Sequence, residues 1–292
     1  MQQYGIRFQG IPMPVREFFA DALPCQRRVA VQWVAAGILL PTWGHSAQAQ
    51  IGLSGAINYA GWFRALSQRM AKAYCQQYLQ VLPGAAVDAM GLARKMVQSG
   101  SSELARGLQS GRWPADVGRQ LEEVQKQFAL LNQLTAVPAT QTALVVAASD
   151  QADRTLLVSQ AVTESIERLA QAPSARLVNL AGRQRMLSQR LAKNYFLHAA
   201  KVESKVVQAQ LASDAADFRQ ALQTLKAAPV STPAIRNELE LADSQWLFFE
   251  SALRRPADDV GLNAVATTSE RLLGVMDKLT NLYEAALREV LG

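Results

Sequence analysis

Two stretches of the sequence are nearly the same, and they decide how the rest is interpreted. They are INYAGWFRALSQRMAKAY, residues 57–74, and VNLAGRQRMLSQRLAKNY, residues 178–195. Eleven of the eighteen aligned pairs are identical, whereas elsewhere the two halves share little beyond their pattern. A hydrophobic core tolerates exchange between apolar residues of similar volume. Packing alone therefore does not explain the repeated Asn, Gly, Arg, Ser and Gln, and the repetition indicates a function.

Hydrophobic spacing on both sides of these stretches predicts helices. Apolar residues recur every three or four positions, as in Leu121, Val124, Phe128 and Leu131, and no segment alternates as a strand would. Prolines and glycines divide the chain into helical segments. In the first half we expect helices near residues 54–82, 85–110, 114–135 and 139–171. Residues 174–228 are too long for one straight helix, and we expect a turn after His198.

The spacing of the breaks repeats as well. Asn58 precedes Pro138 by 80 residues, and Asn179 precedes Pro256 by 77. A repeat of about 120 residues therefore runs through the chain after its first fifty residues. The sequence predicts an all-α protein of two tandem antiparallel four-helix-bundle modules, residues 50–172 and 173–292, packed with pseudo-twofold symmetry.

The first 49 residues resemble a cleavable signal peptide. Arg27 and Arg28 precede an apolar run over residues 29–43, and Ala47-Gln48-Ala49 has the small residues of a cleavage site. The run is shorter than the roughly 20 residues that a membrane span needs. We therefore expect export to the periplasm. An uncleaved anchor is the alternative, and translation could start at Met13.

Composition argues against several functional classes. The 243 residues that follow the signal carry a net charge of about +4 without a basic stripe, which speaks against nucleic-acid binding. They contain one cysteine, Cys75, and one histidine, His198, so we expect no disulfide, metal site, cofactor or Cys–His catalysis. We interpret Cys75 as a core residue and His198 as a surface or packing residue. Acidic pairs such as Asp150 with Asp153, or Asp258 with Asp259, look like solvated acids, and the protein is predicted not to be an enzyme.

One helix face gathers small residues around a single long cation. In the first copy Arg64 shares its face with Ile57, Ala60, Gly61, Ser67, Gln68 and Ala71, and in the second Arg185 shares its face with Val178, Ala181, Gly182, Ser188, Gln189 and Ala192. If the two faces meet, the guanidinium groups converge and repel each other. A small planar oxyanion between them would accept paired hydrogen bonds from both.

The candidate ligand-binding residues are therefore Arg64, Arg185, Gly61, Gly182, Asn58, Asn179, Ser67 and Ser188. The other repeated cations lie on a different face, and we expect them to be solvated or paired within their own bundle. They are Arg69, Lys72, Arg190 and Lys193. The alternative for the repeated arginines is an ordinary surface residue in a salt bridge.

Residues Asn179 to Arg190 resemble the signature of the PilJ-type sensor module, the N-terminal domain of type IV pili methyl-accepting chemotaxis transducers. They also resemble the P-box of membrane nitrate/nitrite sensor kinases. The first copy departs from this pattern at Ala65, where the family favours Met. The resemblance implies a four-helix bundle whose first helix carries the signature, and a nitrate bound between equivalent arginines, here Arg64 and Arg185.

The resemblance predicts a periplasmic sensor that binds nitrate or nitrite between its two modules. The relatives carry a kinase or a methylated signalling helix, which we do not recognise in this sequence. We therefore expect a membrane partner such as a sensor kinase, a chemoreceptor or a transporter. The alternative is a structural or adaptor module of an envelope or type IV pilus complex that binds no small ligand.

Overall fold

Eight α-helices make up the part of the chain that the computed structural model describes, which is residues 51–291 except Ser110, Arg112, Glu203, Ser204 and Ser231. The predicted signal peptide lies outside the described residues. The helices are α1 (Leu53–Tyr78), α2 (Pro83–Gln109), α3 (Ala115–Ala136), α4 (Thr142–Ala170), α5 (Pro173–Ala199), α6 (Lys205–Lys226), α7 (Pro233–Leu253) and α8 (Asp259–Leu291). The described residues contain no strand, and the prediction of an all-α fold is confirmed.

The two repeated stretches occupy the centre of the fold. Helix α1 packs against α4, α2 and α5, and α5 packs against α8, α6 and α1. Helices α3 and α7 lie outside, against α4 and α8. Corresponding helix pairs are thus in contact in both halves, and α1 with α5 forms the main junction between α1–α4 and α5–α8. The exact division into two modules, and a twofold axis between them, stay predictions.

The turn after each signature helix is built in the same way, although only the first contains a proline. Gln80 and Lys201 both have a left-handed backbone, with φ of 56° and 59°. After each, a valine amide donates back into the helix: Val81 to the Gln76 carbonyl at 2.9 Å, and Val202 to the Leu197 carbonyl at 3.0 Å. Backbone hydrogen bonds that close the last turn commonly end a helix. The turn expected after His198 is confirmed at Ala199.

Aromatic side chains fill the interior of each half. Phe63 meets Phe128 edge to face at a centroid distance of 5.7 Å, and Phe218 stacks on Trp246 at 4.3 Å. Phe128 and Trp246 each stand ten residues before a proline, so the sequence repeat predicts that they are equivalent. Both are buried. Burial of one such side chain stabilises the fold by about 1.5–3 kcal/mol.

None of the helices described above combines the length and the apolar character that a membrane crossing requires.

Candidate functional site

Two arginines meet at the junction of α1 and α5, and we refer to them with the groups they contact as the arginine layer. Arg64 and Arg185 have no solvent-exposed surface. Each lies on the face of small residues that the sequence predicts, and the predicted members of both faces are buried. The two repeated helices therefore direct their matching arginines toward each other.

Arg64 contacts only neutral acceptors among the described residues. Its Nη1 donates to Gln160 Oε1 at 2.7 Å, and its Nη2 donates across the junction to the Asn179 carbonyl at 3.2 Å. Its Nε is 3.4 Å from the Gly61 carbonyl of its own helix. No carboxylate of the described chain forms an ion pair with it. Neutral carbonyl and amide oxygens, and not a contacting carboxylate, therefore stabilise its positive charge.

Arg185 has a charged partner instead. Its Nη1 donates to Asp277 Oδ1 at 2.8 Å, and its Nη2 donates across the junction to the Asn58 carbonyl at 3.3 Å. The guanidinium lies over the ring of Trp62, with Cζ 4.3 Å from the centroid. Its Nε is buried and finds no hydrogen-bond partner among the described residues.

The contacts of the two arginines correspond position by position. Residues of α1 match residues 121 positions later in α5, as Arg64 matches Arg185, and residues of α4 match residues 117 positions later in α8, as Gln160 matches Asp277. The same offsets relate a second pair of contacts: Gln68 Nε2 donates to the Ala152 carbonyl, and Gln189 Nε2 to the Ser269 carbonyl, both at 3.1 Å. The structure thus repeats a polar network and not only a backbone pattern.

Glycines allow the two guanidinium groups to approach. A Cβ built on Gly61 would lie 3.1 Å from Arg64 Nη2 and 3.5 Å from Arg185 Nη2. A Cβ on Gly182 would lie 3.1 Å from Arg185 Nη2 and 3.4 Å from Arg64 Nη2. The two Nη2 atoms are therefore no farther apart than the sum of the last two distances, about 6.5 Å. The convergence expected from the helix faces is present, and any larger residue at either glycine would crowd it.

Burial lowers the pKa of both guanidinium groups. Burial, followed by the charges of Arg185 and Arg183, lowers the pKa of Arg64 to about 9. Burial also lowers the pKa of Arg185, although the neighbouring Asp277 carboxylate opposes this effect. With a pKa of about 9, Arg64 remains a cation at neutral pH. The strongest charge effects on Arg64 come from other cations, whereas those on Arg185 come from acids.

The predicted asparagines and serines lie beside the arginines but use their side chains elsewhere. The Asn58 amide donates to Glu284 Oε2 at 2.6 Å, and that of Asn179 donates to Glu167. Only the carbonyls of the two asparagines contact the arginines. The hydroxyls of Ser67 and Ser188 donate to the carbonyls of Arg64 and Arg185 at 2.9 and 2.8 Å.

The repeated lysines correct one sequence expectation. Lys72 and Lys193 are buried, not solvated, and their acids come from the opposite half. Lys72 pairs with Glu270, and Lys193 Nζ lies 2.7 Å from Asp153 Oδ1. We call these two ion pairs the lysine layer. The expectation was wrong because α1 contacts α8, and α5 contacts α4, across the junction.

The two repeated arginines outside the site, Arg69 and Arg190, differ in which half of the chain supplies their acid. Arg69 also pairs with Glu270 of the other half, at 2.5 Å, against expectation. Arg190 pairs with Asp214 of its own half at 2.6 Å, as expected.

Sequence reasoning missed the partners that distinguish the two arginines. Gln160 and Asp277 lie on helices outside the signature, at an offset of 117 and not 121. Trp62 and Arg183 do lie in the signature, as the pair of residues at matching positions that differ most in chemistry. Their difference is a signal in the sequence that the two sides of the junction are unequal.

The remaining candidates have ordinary surroundings. Cys75 is buried, and burial raises the pKa of its thiol to about 12, although Lys193 opposes the shift. His198 is exposed, as expected. Among the described residues no group of three or more His, Cys, Asp or Glu side chains is placed to hold a metal ion.

Comparison with known protein families finds a match in the second half of the chain. Residues 168–273 match the PilJ family, described as the N-terminal domain of type IV pili methyl-accepting chemotaxis transducers. The matched segment runs from the end of α4 into α8 and contains the second signature copy with Gly182 and Arg185. The match supports a PilJ-type module in the second half of the chain. Comparisons with curated proteins and with solved structures give no significant match.

Proposed function

We propose that this protein is a sensory module that binds one small monovalent oxyanion, nitrate or nitrite, between Arg64 and Arg185. The observation that carries the proposal is the meeting of two fully buried guanidinium groups, of which only one contacts a carboxylate of the described residues. A buried charge without a contacting counterion is costly. A planar anion between the Nη2 atoms would offset the repulsion and accept hydrogen bonds from both forks.

The hydrogen-bond inventory supports the same ligand class. A guanidinium carries five N–H donors, and Arg185 Nε has no acceptor among the described residues. Each Nη2 has one hydrogen bond, to a carbonyl of the opposite helix, so one N–H on each remains available. An oxyanion has several acceptor atoms and suits such a set better than a neutral ligand.

The PilJ-type segment supports a role in signalling. We propose that residues 50–172 form a second, divergent module, so that one chain supplies both arginines. Binding would draw α1 and α5 together and shift the population of packing states of the two halves, which a membrane partner such as a sensor kinase, chemoreceptor or transporter would detect. The predicted signal peptide supports a periplasmic location. Because the matched family is a signalling module, we propose that this chain is not an enzyme.

A ligand-free structural or adaptor role is the second candidate. Asp277 and Trp62 both contact the guanidinium of Arg185, and they stabilise its charge without any ligand. In that case the arginines would act only as polar links between α1 and α5, and anions would leave the protein unchanged. Purification of a partner whose binding is insensitive to nitrate would favour this alternative.

Isothermal titration calorimetry of the exported protein with nitrate, nitrite and chloride tests the proposal. We expect heat and saturation with nitrate or nitrite, and a loss of binding in both Arg64→Ala and Arg185→Ala. Arg219→Ala is the matched control, since that arginine is more than half exposed and pairs with Glu250 of α7. Absence of binding to the wild-type protein would refute the proposed function, and unchanged binding in both variants would place the site elsewhere.

A further inference from the structure

The two sides of the arginine layer differ in the charge that contacts each arginine. Gln160 and Asp277 stand at corresponding positions of α4 and α8 and accept hydrogen bonds from Arg64 and Arg185 at 2.7 and 2.8 Å. One side is therefore neutral where the other is anionic. Both arginines donate as cations, but only the contact of Arg185 adds the Coulomb attraction of a full negative charge. The contact of Arg64 with a neutral amide is therefore the weaker and the easier to exchange.

The two sides also differ in what covers them. Trp62 of α1 stacks on Arg185 and closes that side with an apolar ring. The matching position of α5 is Arg183, whose charge acts on Arg64 and whose Nη2 lies 2.7 Å from Asp217. The Trp62 ring therefore covers one side of the arginine pair, and the charged Arg183 side chain lies on the other side.

A surface groove lies directly outside the neutral contact. Gln160, Asn179 and Arg183 are among the residues that line it, and the first two are the residues whose oxygens Arg64 contacts. The groove has a volume of about 420 Å³, well above the roughly 30 Å³ that one water molecule occupies in the liquid. Displacement of the Gln160 amide would bring Arg64 Nη1 within reach of an ion in the groove.

We infer that the anion enters and binds from the Arg64 side, and that Gln160 is the specificity-determining residue that keeps this arginine open to an external anion. The inference rests on the proposed function and deepens it. Asp277 is the built-in counterion of Arg185. The two arginines therefore have one contacting carboxylate between them and are one negative charge short of full compensation. One monovalent anion supplies that charge.

Two acids that line the groove do not replace this counterion. Glu164 accepts a hydrogen bond from the Gln160 amide, and Glu167 accepts one from Asn179. Both act on Arg64 more weakly than Arg185 and Arg183 do. The bond from Gln160 to Glu164 directs the amide nitrogen outward and leaves its oxygen toward Arg64.

Substitutions that exchange the charges of the two sides test the inference. Gln160→Glu has nearly the same shape but supplies an internal counterion to Arg64, and we expect nitrate to bind at least about tenfold more weakly. Gln160→Ala stays neutral and should lose clearly less affinity than Gln160→Glu. Asp277→Asn removes the built-in counterion and should bind nitrate at least as tightly as the wild type. Calorimetry with sodium nitrate gives the affinities, and thermal melts check that each variant is folded.

The outcomes separate this inference from the proposed function. If wild-type protein binds nitrate and Gln160→Glu binds it equally well, the inference is wrong and the site itself stands. The inference is also wrong if Gln160→Ala loses as much affinity as Gln160→Glu, because shape and not charge would then matter. If the wild-type protein binds no oxyanion, both proposals fail.

Discussion

The arginine layer and the lysine layer lie on the same two helices, but they treat their buried cations differently. Arg64 and Lys72 are eight residues apart, which is about 12 Å along a helix. In the lysine layer each ammonium contacts a carboxylate of the opposite half. In the arginine layer only Arg185 does, and Arg64 contacts neutral oxygens.

This difference separates structural charge from functional charge. The compensated lysines join the halves through ion pairs that need no further ligand. The two arginines, with one contacting carboxylate between them, lie where α1 and α5 meet. Gly61 and Gly182 leave space there for their guanidinium groups. Duplication of a helix alone would have produced an arginine layer with two equal sides. The inequality arises from different residues at matching positions, Gln160 and Asp277 of α4 and α8 and Trp62 and Arg183 of α1 and α5.

Breaking the lysine layer should have the largest effect. Glu270→Gln removes the carboxylate that contacts both Lys72 and Arg69 and leaves a fully buried ammonium without a counterion. We expect the free energy of unfolding in urea to fall by about 3–5 kcal/mol. Asp116→Asn, which removes an exposed pair with Arg119, is the control and should cost less than about 1 kcal/mol. A loss in Glu270→Gln no greater than in this control would contradict the structural role of the layer.

Crowding the arginine layer should change binding much more than stability. In Gly182→Ala the new methyl group would press on both Nη2 atoms, which lie at the ends of flexible side chains and can move aside. We expect nitrate affinity to fall about tenfold or more, a loss of roughly 1.4 kcal/mol, with little change in the free energy of unfolding. Gly274→Ala meets no atom within 4 Å and should stabilise α8 by about 0.5–1 kcal/mol without altering binding. Equal nitrate affinity in the two variants would argue against a binding role for the glycine pair.

Acid should weaken the ion pairs of the lysine layer by protonating Glu270. Although burial opposes it, the charges of Lys72 and Arg69 lower the pKa of Glu270 to about 2 from an ordinary 4.5. The unfolded chain therefore binds this proton first, and the stabilisation is present above about pH 4.5 and is lost as the pH falls toward 2. Urea titrations across this range should show a smaller decline in Glu270→Gln than in the wild type. Identical declines would show that Glu270 is not the titrating group. The effect is moderated by water, since about a third of this side chain is exposed.

The smallest expected effect concerns the cover of Arg185. Trp62→Leu removes the ring below the guanidinium and should lower the free energy of unfolding by about 0.5–2 kcal/mol. Trp62→Phe keeps an aromatic face and should lose less. Urea unfolding followed by circular dichroism measures both. Equal losses in the two variants would mean that the ring contributes by packing and not through its face.

The signature predicted the centre of the fold well. Identical residues at matching positions of α1 and α5 were sufficient to expect that Arg64, Arg185, Gly61 and Gly182 come together, because helical periodicity determines which residues share a face. The partners of these residues could not be predicted in the same way. Asp277 and Gln160 depend on the register of α4 and α8 against the central pair, which is a property of tertiary packing.

The same reason explains the error over the lysines. Their position on a separate helix face is correct, but a face that is exposed on one isolated bundle becomes buried when a second bundle packs against it. Lys72 and Lys193 meet acids more than 190 and 30 residues away along the chain, respectively. Local sequence pattern carries no information on such contacts.

Thermal melting in nitrate tests the central claim most directly. With nitrate exchanged for chloride at constant ionic strength, we expect the Tm of the wild-type protein to rise with nitrate concentration, because a ligand that binds only the folded state stabilises it by about 2.7 kcal/mol at one hundred times its Kd. Lys72→Met should melt at a lower temperature but show the same rise, whereas Arg64→Met should show none. A wild-type Tm that is independent of both nitrate and nitrite, or a rise that persists in Arg64→Met, would contradict the account.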